Sequence, residues 1–424
     1  SVTSCRVQLE PIEILTFQQK LEELFPSAEI SKLEEKDHFS SEYQLILNQP
    51  LDHKNPSKGS FKQYIYLSHI SESLPTVIVT EGYNATPRTY ELTKIVKGNQ
   101  VQVEYRFYGK SRPDSIQWDY LKNDLAIEDC HKIVTKLKRI YTGKWLSTGI
   151  SKGGETVLIY KSKYPWDVDV AVPYVAPLIN TQEDIRTQEH INSVGSEDCR
   201  LKIEQFQRLV LQNRMAILKE VEIYAVAKGM SFTELSVEEA LEYAVLEFPF
   251  SFWQWGGNCN EIPTEISPVA DLFNYLNKIV GISFYNDQTY YELLPSYYQH
   301  MTELGYYGFD IEPIKDLIKV VSKPTNLRFA PKNLDLTYNP KYISEVRDFV
   351  ENKGKKILYI YGEYDTWGAC APNPKPHVDA LKMVLKGGSH ITRIKDFSES
   401  DQQIIYDKLQ SWLGYSVKIY PLEK

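Results

Sequence analysis

The sequence predicts an α/β fold in which a mostly parallel, doubly wound sheet is interrupted by a helical insertion. Apolar, β-branched runs alternate with helical patterns before residue 180 and again after residue 330, as in proteins whose helices cross between parallel strands. Residues 181–330 show charged helical patterns without that alternation. We therefore expect residues 1–180 and 331–424 to form one core, and residues 181–330 to form a helical cap over it.

Each element follows from its own pattern of apolar and turn residues. Residues 43–51 and 61–70 are predicted to pair as an antiparallel hairpin, because a turn-rich stretch separates them. Short apolar runs bounded by turn residues predict buried strands at 76–80, 100–105, 145–150, 168–173, 356–361 and 380–385. Apolar residues at helical spacing predict helices at 120–141, 201–228, 236–248 and 398–413.

Composition and charge exclude several classes of function. The net charge of −8 gives the chain no concentrated basic face, so we expect no nucleic-acid partner. No apolar run reaches the roughly 18 residues that a membrane helix needs, so we expect no membrane span. The first residue is serine rather than methionine, which fits removal of a secretory signal and equally fits trimming for another reason. Residues 2–5 are weakly similar to a lipoprotein cleavage site, and the alternative for Cys5 is an ordinary cysteine near the terminus.

The five cysteines show neither a C-x-x-C pair nor the spacing of metal ligands. We therefore expect no metal site and no cofactor. Cys199 and Cys259 both fall in the predicted cap and could form a disulfide, but the sequence does not show whether their Cβ atoms meet. An odd number of cysteines leaves at least one thiol unpaired.

Residues 145–154, Trp-Leu-Ser-Thr-Gly-Ile-Ser-Lys-Gly-Gly, carry the pattern G-x-S-x-G between a predicted strand and a predicted helix. This arrangement is the nucleophile elbow of the α/β-hydrolase fold, in which a sharp turn exposes the serine hydroxyl. Glycines at positions 149, 153 and 154 allow the strand and the helix to approach each other. The pattern predicts Ser151 as a nucleophile.

A serine hydroxyl needs a histidine base, which in turn needs a carboxylate to orient it. In this fold the acid and then the histidine follow the serine along the chain. Asp365 comes directly after one predicted strand and His390 after the next, so these two residues are the predicted partners. Glu363 and His377 are the alternatives. Asp365 is favoured because it lies deeper in its loop, and His390 because it follows the last strand.

The negatively charged oxygen of an acyl-transfer intermediate needs hydrogen-bond donors already in place. The backbone N–H after the nucleophile supplies one donor in this fold, and that residue is Lys152. The loop after an early strand supplies the other. We expect Tyr83 to donate through its N–H or its hydroxyl, and Gly82 to let the substrate approach closely.

Four segments carry a family resemblance and span most of the chain outside the predicted cap: residues 49–63, 103–113, 149–154 and 361–390. The second, Val-Glu-Tyr-Arg-Phe-Tyr-Gly-Lys-Ser-Arg-Pro, is the most distinctive. In these segments the chain resembles the S37 serine peptidases, known as the PS-10 or tripeptidyl aminopeptidase group. It is more distantly similar to the S28 prolyl carboxypeptidases and dipeptidyl peptidases. Those usually carry an aromatic residue after the nucleophile, where this chain has Lys152.

The resemblance implies a secreted or cell-envelope exopeptidase that forms an acyl-enzyme and releases short peptides from the amino end. A peptide's α-ammonium requires a carboxylate partner, for which Glu81 and Glu104 are candidates. Each could instead serve the structure, Glu81 by closing its loop and Glu104 by pairing with Arg106 or Lys110. Trp253 and Trp255 could wall an apolar pocket for a side chain such as proline, or could pack inside the cap.

Two other functions use the same fold. An esterase or lipase would carry the same three catalytic residues and would act on esters. A non-catalytic binding module would have no need to keep all three residues in the order that catalysis requires. The sequence therefore favours an enzyme with a peptide substrate.

Overall fold

A nine-stranded sheet forms the centre of the computed structural model, which describes residues 15–423. Cys5 lies outside the described residues. The strands of this sheet are β1 (Glu29–Leu33), β2 (Ser41–Pro50), β3 (Ser60–His69), β4 (Thr76–Thr80), β5 (Asn99–Val103), β6 (Trp145–Ile150), β7 (Val170–Tyr174), β10 (Ile357–Gly362) and β11 (Ala380–Leu385). Two short strands, β8 (Glu183–Asp184) and β9 (Tyr306–Tyr307), pair separately.

The strand order is β1-β2-β3-β5-β4-β6-β7-β10-β11. The pairs from β1 to β5 are antiparallel, and the pairs from β5 to β11 are parallel. Every residue of β4, β5 and β7 is buried, as expected for parallel strands with helices on both faces. The α/β-hydrolase fold predicted from the sequence is confirmed.

Twelve α-helices occur in the described residues. They are α1 (Phe17–Leu24), α2 (Glu91–Val96), α3 (Asn123–Leu137), α4 (Lys152–Lys163), α5 (Ile185–Ile191), α6 (Glu197–Gln212), α7 (Arg214–Lys228), α8 (Val237–Gln254), α9 (Val269–Ile279), α10 (Asp287–Gln299), α11 (Pro340–Asn352) and α12 (Glu399–Leu413). Helices α1, α3, α4 and α11 contribute to one apolar cluster of the sheet, and α2 and α12 contribute to another. None of the helices described here is both long and apolar enough to cross a bilayer.

Helices α5 to α10 lie between β7 and β10 and pack around an apolar core of their own. We call residues 181–330 the cap. Within it, a disulfide joins Cys199 of α6 to Cys259, just after α8, with 5.4 Å between their Cα atoms. Cys130 and Cys370 are buried free thiols. The disulfide that the sequence left open is therefore present.

The boundaries of the elements differ from the sequence prediction where local patterns are weak. β4, β6 and β11 have the predicted bounds. The single helical stretch predicted at 201–228 is two helices, which meet at Asn213. β1 was not predicted, because it is an edge strand whose side chains are partly or fully exposed and show no apolar alternation.

The cap disulfide should contribute measurably to stability, because it closes a loop with a sequence separation of 60. Chain-entropy arguments assign about 2–4 kcal/mol to such a link. We expect the double variant Cys199→Ser, Cys259→Ser to melt at a lower temperature than the wild-type protein. Dithiothreitol should lower the wild-type melting temperature to the same value without affecting the variant. An unchanged wild-type melting temperature under reducing conditions would contradict the assignment.

Candidate active site

Ser151 lies at the turn between β6 and α4 in an unfavourable backbone conformation. Its φ is 58° and its ψ is −122°, a combination that non-glycine residues rarely adopt. The Ser151 N–H donates to the carbonyl of Tyr174 in the neighbouring strand, at 2.9 Å. Backbone strain of this kind persists only where the surrounding structure enforces it, and it concentrates at functional sites.

Glycine is required on both sides of this turn. A Cβ atom added at Gly149 would lie 2.3 Å from the carbonyl oxygen of Gly153, and one added at Gly153 would lie 2.7 Å from that of Thr80. The Thr80 hydroxyl also donates to the Gly153 carbonyl at 3.1 Å. The G-x-S-x-G pattern therefore reflects direct backbone contact between β4, β6 and α4.

The loop of residues 81–84, which we call the oxyanion loop, lies against the start of α4. A Cβ atom added at Gly82 would be 2.6 Å from both the Lys152 Cβ atom and the Gly153 nitrogen. The backbone N–H groups of Tyr83 and Lys152 have no acceptor among the residues that the structure describes. Two donors are thus available beside Ser151.

Asp365 and His390 form a buried hydrogen-bonded pair. The His390 Nδ1–H donates to Asp365 Oδ2 at 2.7 Å, and the relative exposures of the two residues are 5% and 0%. Asp365 Oδ1 accepts the backbone N–H of Trp367 at 3.1 Å. With its proton on Nδ1, the imidazole keeps Nε2 free to accept a proton.

Neither alternative residue takes part in this pair. Glu363 accepts the N–H of Gly387 at 2.7 Å and stabilises the loop between β10 and β11. His377 is exposed and its Nε2 contacts the carbonyl of Asn352 at 3.0 Å.

The end of α8 holds both loops of the pair in place. The carbonyl of Phe250 accepts the Thr366 hydroxyl at 3.0 Å, and the carbonyl of Gln254 accepts the His390 N–H at 2.8 Å. The Trp255 ring packs edge-to-face against the imidazole, with 5.6 Å between centroids. The cap therefore contributes directly to the position of His390.

A cavity of about 780 Å³ lies between the cap and the carboxyl edge of the sheet. Its volume is within the range of small-molecule and cofactor sites. Within the described ranges, no cluster of His, Cys, Asp and Glu side chains is arranged to hold a metal ion. Residues from both parts of the chain line the cavity, including Ser151, Tyr83, Trp367, Glu247, Phe250, Trp255, Tyr297 and Tyr307.

Of the substrate-binding candidates named from the sequence, Trp255 alone lines this cavity. Its side chain is 49% exposed. Trp253 is buried in the cap, where its ring packs edge-to-face against Tyr364 at 5.4 Å. Glu81 accepts hydrogen bonds from the Tyr90 hydroxyl and from Gln102.

Glu104 also has a structural role. Its carboxylate accepts the N–H and the hydroxyl of Ser111, each at 2.7 Å, and the N–H of Ala85 at 2.9 Å. Of the two partners considered for Glu104, Arg106 is wrong, because the Arg106 guanidinium binds Asp129 at 2.7 and 2.8 Å. Both carboxylates proposed for the substrate ammonium are thus engaged outside the cavity.

The buried acid that lines the cavity is Glu247 of α8, which was not predicted from the sequence. Its carboxylate accepts the Tyr307 hydroxyl at 2.6 Å and the Ser251 hydroxyl at 3.0 Å. Burial raises the pKa of the Glu247 carboxyl to about 7. The available signal was one glutamate inside the apolar run Ala-Val-Leu-Glu-Phe-Pro-Phe at 244–250.

Comparison with known proteins identifies the family to which this sequence is similar. The PS-10 peptidase S37 family matches residues 19–388. The prolyl tri/tetrapeptidyl aminopeptidase of Streptomyces mobaraensis is 31% identical over 398 residues, which cover 90% of this chain and 82% of that protein. A probable serine protease of Arabidopsis thaliana, EDA2, is 23% identical over 465 residues, with 92% and 93% covered.

The crystal structure of proline iminopeptidase from Mycobacterium smegmatis gives a TM-score of 0.42 at 12% identity, covering 87% of this chain and 98% of that one. The family match extends over most of the described residues, from α1 to the loop before His390. The resemblance found in the sequence is thereby confirmed, and the chain belongs to the PS-10 peptidase S37 family of serine peptidases.

Proposed function

We propose that this peptidase is an aminopeptidase in which Ser151, His390 and Asp365 form the catalytic triad. The observation that carries the proposal is the buried hydrogen bond between His390 and Asp365. It lies at the same edge of the sheet as the strained turn at Ser151, because β6, β7, β10 and β11 are parallel neighbours. Loops that follow parallel strands meet at one edge.

In the proposed acylation step, the Ser151 hydroxyl oxygen attacks the substrate carbonyl carbon while His390 Nε2 takes the hydroxyl proton. The Asp365 carboxylate stabilises the imidazolium that forms. When the tetrahedral intermediate collapses, the peptide C–N bond breaks and Nε2 gives its proton to the leaving amine. The amino-terminal part of the substrate remains as an ester on Ser151.

Deacylation repeats these steps with water in place of the serine hydroxyl. His390 removes a proton from water, the resulting hydroxide attacks the ester, and Ser151 leaves with the proton from Nε2. In both steps the negative charge on the carbonyl oxygen is stabilised by the N–H groups of Lys152 and Tyr83. Neither N–H has another acceptor within residues 15–423, which supports this role.

Glu247 is the residue that we propose binds the amino end of the substrate. Its carboxylate lines the cavity, and each oxygen keeps a lone pair beyond its present hydrogen bond. The present hydrogen-bond partners of the Glu247 carboxylate are uncharged hydroxyl groups. The α-ammonium group of a peptide would give this buried carboxylate a positively charged partner. The aromatic rings of Phe250, Trp255 and Trp367 supply apolar surface for the substrate side chains.

The name of the Streptomyces relative, a prolyl tri/tetrapeptidyl aminopeptidase, supports the release of short peptides from the amino end. The cap covers the cavity, and a covered cavity admits the end of a peptide more readily than the middle of a long polypeptide. The cap is therefore consistent with the release of peptides from the amino end. The alternative function is that of an esterase. An esterase would need neither Glu247 nor a free amino group on its substrate.

The catalytic assignment can be tested with a fluorophosphonate probe, which reacts with activated serines. We expect Ser151→Ala to abolish labelling and to lower kcat/KM on peptide substrates by roughly 10⁴-fold or more, because the nucleophile is lost. His390→Ala should abolish turnover with little change in melting temperature. Activity would be measured by release of the carboxyl-terminal product.

Ser147→Ala provides the matched control, because Ser147 lies in the same strand with its hydroxyl buried and unpartnered among the described residues. This variant should keep both labelling and turnover. Probe labelling that persists in Ser151→Ala would overturn the assignment.

The role of Glu247 predicts a specific pH dependence. The carboxyl is charged above about pH 7, and a peptide α-amino group is charged below about pH 8. The ratio of kcat/KM for a free peptide to that for its N-acetylated form should therefore be largest between these values and fall on either side. Glu247→Gln should lower the ratio roughly 10- to 100-fold and flatten its pH profile.

Glu292→Gln is the control, because Glu292 also lines the cavity but is exposed at its rim. It should change the ratio by less than about threefold, as is usual for an exposed charge. A large loss in Glu292→Gln together with an unchanged ratio in Glu247→Gln would assign the amino end to the other acid.

We further propose that the protein works outside the cytoplasm, secreted or in the cell envelope. The Cys199–Cys259 disulfide supports this location, because such links persist in oxidising compartments. Fractionation of the cells that make the protein, combined with thiol alkylation, would test it. We expect to find the protein in the extracellular or envelope fraction, with Cys199 and Cys259 protected from alkylation by their disulfide. A cytoplasmic pool with alkylated Cys199 and Cys259 would contradict the proposal.

A further inference from the structure

A lysine side chain is buried directly under the nucleophile elbow. Lys152 is only 2% exposed, and its ammonium group donates to the carbonyl oxygen of Gly82 at 2.7 Å. Lysine is among the residues that are least often fully buried, because desolvation disfavours its charge. A buried lysine that bonds a main-chain carbonyl of the oxyanion loop therefore calls for a specific role.

Three tyrosine rings surround the ammonium group. Its Nζ lies 4.0 Å from the ring centroid of Tyr105, 4.9 Å from that of Tyr108 and 5.3 Å from that of Tyr83, all within the range of cation–π attraction. Burial lowers the pKa of Lys152 to about 7, and the buried Glu155 carboxyl opposes that shift. These neighbours fix the position of the ammonium group.

The hydrogen bond from Lys152 to the Gly82 carbonyl also fixes the direction of the Tyr83 N–H, because the carbonyl carbon of Gly82 is bonded to the nitrogen of Tyr83. The Gly82 carbonyl and the Tyr83 N–H belong to one planar trans peptide unit, in which they point in opposite directions. Lys152 holds the oxygen end of this unit, so the N–H end points away from the lysine. The Tyr83 carbonyl accepts the N–H of Tyr105 at 3.2 Å, which holds the next peptide unit.

We infer that Lys152 is a positioning residue for the oxyanion hole, in which its ammonium group orients the Tyr83 N–H through the Gly82 carbonyl. The inference rests on the proposed triad and goes beyond it. Glycine tolerates a wide range of backbone dihedral angles, so without this hydrogen bond the planar peptide unit could turn about the bonds that flank it and present its oxygen, instead of a donor, to the developing negative charge. Lys152 thus supplies one oxyanion donor with its own backbone and orients the other with its side chain.

Lys152→Met tests the inference, because methionine is of similar length but cannot donate a hydrogen bond. We expect kcat to fall roughly 10²- to 10³-fold, the effect of losing one oxyanion donor, while KM changes less than about threefold. A peptide boronic acid, whose tetrahedral adduct occupies the oxyanion hole, should bind correspondingly more weakly. A non-covalent product peptide should bind as it does to the wild-type protein.

Lys161→Met is the matched control. Lys161 is also buried in α4, and its ammonium group donates to the carbonyls of Pro165 and Val168 at the far end of the helix. This variant should lose stability but keep kcat. An equal loss of kcat in both variants, or equal weakening of boronate and product binding in Lys152→Met, would overturn the inference.

If Lys152→Met does not fold, Gly82→Ala provides the second test. Its added methyl group must displace the oxyanion loop from Lys152 and Gly153, so the same selective loss of kcat is expected with the lysine intact. Full kcat in Gly82→Ala would refute the inference. Full turnover in Ser151→Ala would instead refute the proposed triad, so the two failures can be distinguished.

Discussion

At the start of helix α4 the backbones of three segments approach so closely that no side chain fits between them. Gly149 is the last residue but one of β6, Gly153 lies in the first turn of α4, and Gly82 lies in the loop after β4. This contact forces the positive φ at Ser151 and places next to it two N–H groups that have no acceptor in the part of the chain that the structure describes. The position of Ser151, the proposed nucleophile, and of the two N–H groups beside it therefore follows from one packing constraint in the parallel sheet.

The other residues of the site come from segments that do not take part in this contact. Strands β10 and β11 bring Asp365 and His390 to the same edge of the sheet, where the two residues bond each other in a buried environment. The last turn of α8 then adds two carbonyl acceptors, one for each loop. The core thus provides the chemical groups, and the cap completes their positions and walls the cavity.

Much of this arrangement could be predicted because it is encoded locally. The apolar runs of β4 and β6, the glycines around Ser151 and the order of the acid and the histidine are patterns within short segments. The bounds of β4, β6 and β11 were correct for the same reason. The order of acid and histidine along the chain is a property of the fold class, so the elbow pattern led to Asp365 and His390, which a buried hydrogen bond joins in the structure.

What could not be predicted depends on which distant segments meet. Arg106 was expected to pair with its neighbour Glu104, but it bonds Asp129, which also binds His53. Glu247 gave no signal beyond its apolar surroundings, since only the packing of α8 over the sheet brings it to the cavity. Such partners are chosen by tertiary packing, which local patterns do not contain.

The hydrogen bond from His390 to the carbonyl of Gln254 has a consequence for how such enzymes can diversify. A cap taken from another hydrolase would have to place a backbone carbonyl at the same point, because the histidine loop donates a hydrogen bond to one there. Protein engineers who wish to change the substrate range should therefore keep the last turn of α8 and vary side chains on α10, such as Leu293 and Ser296, which line the cavity without holding either loop.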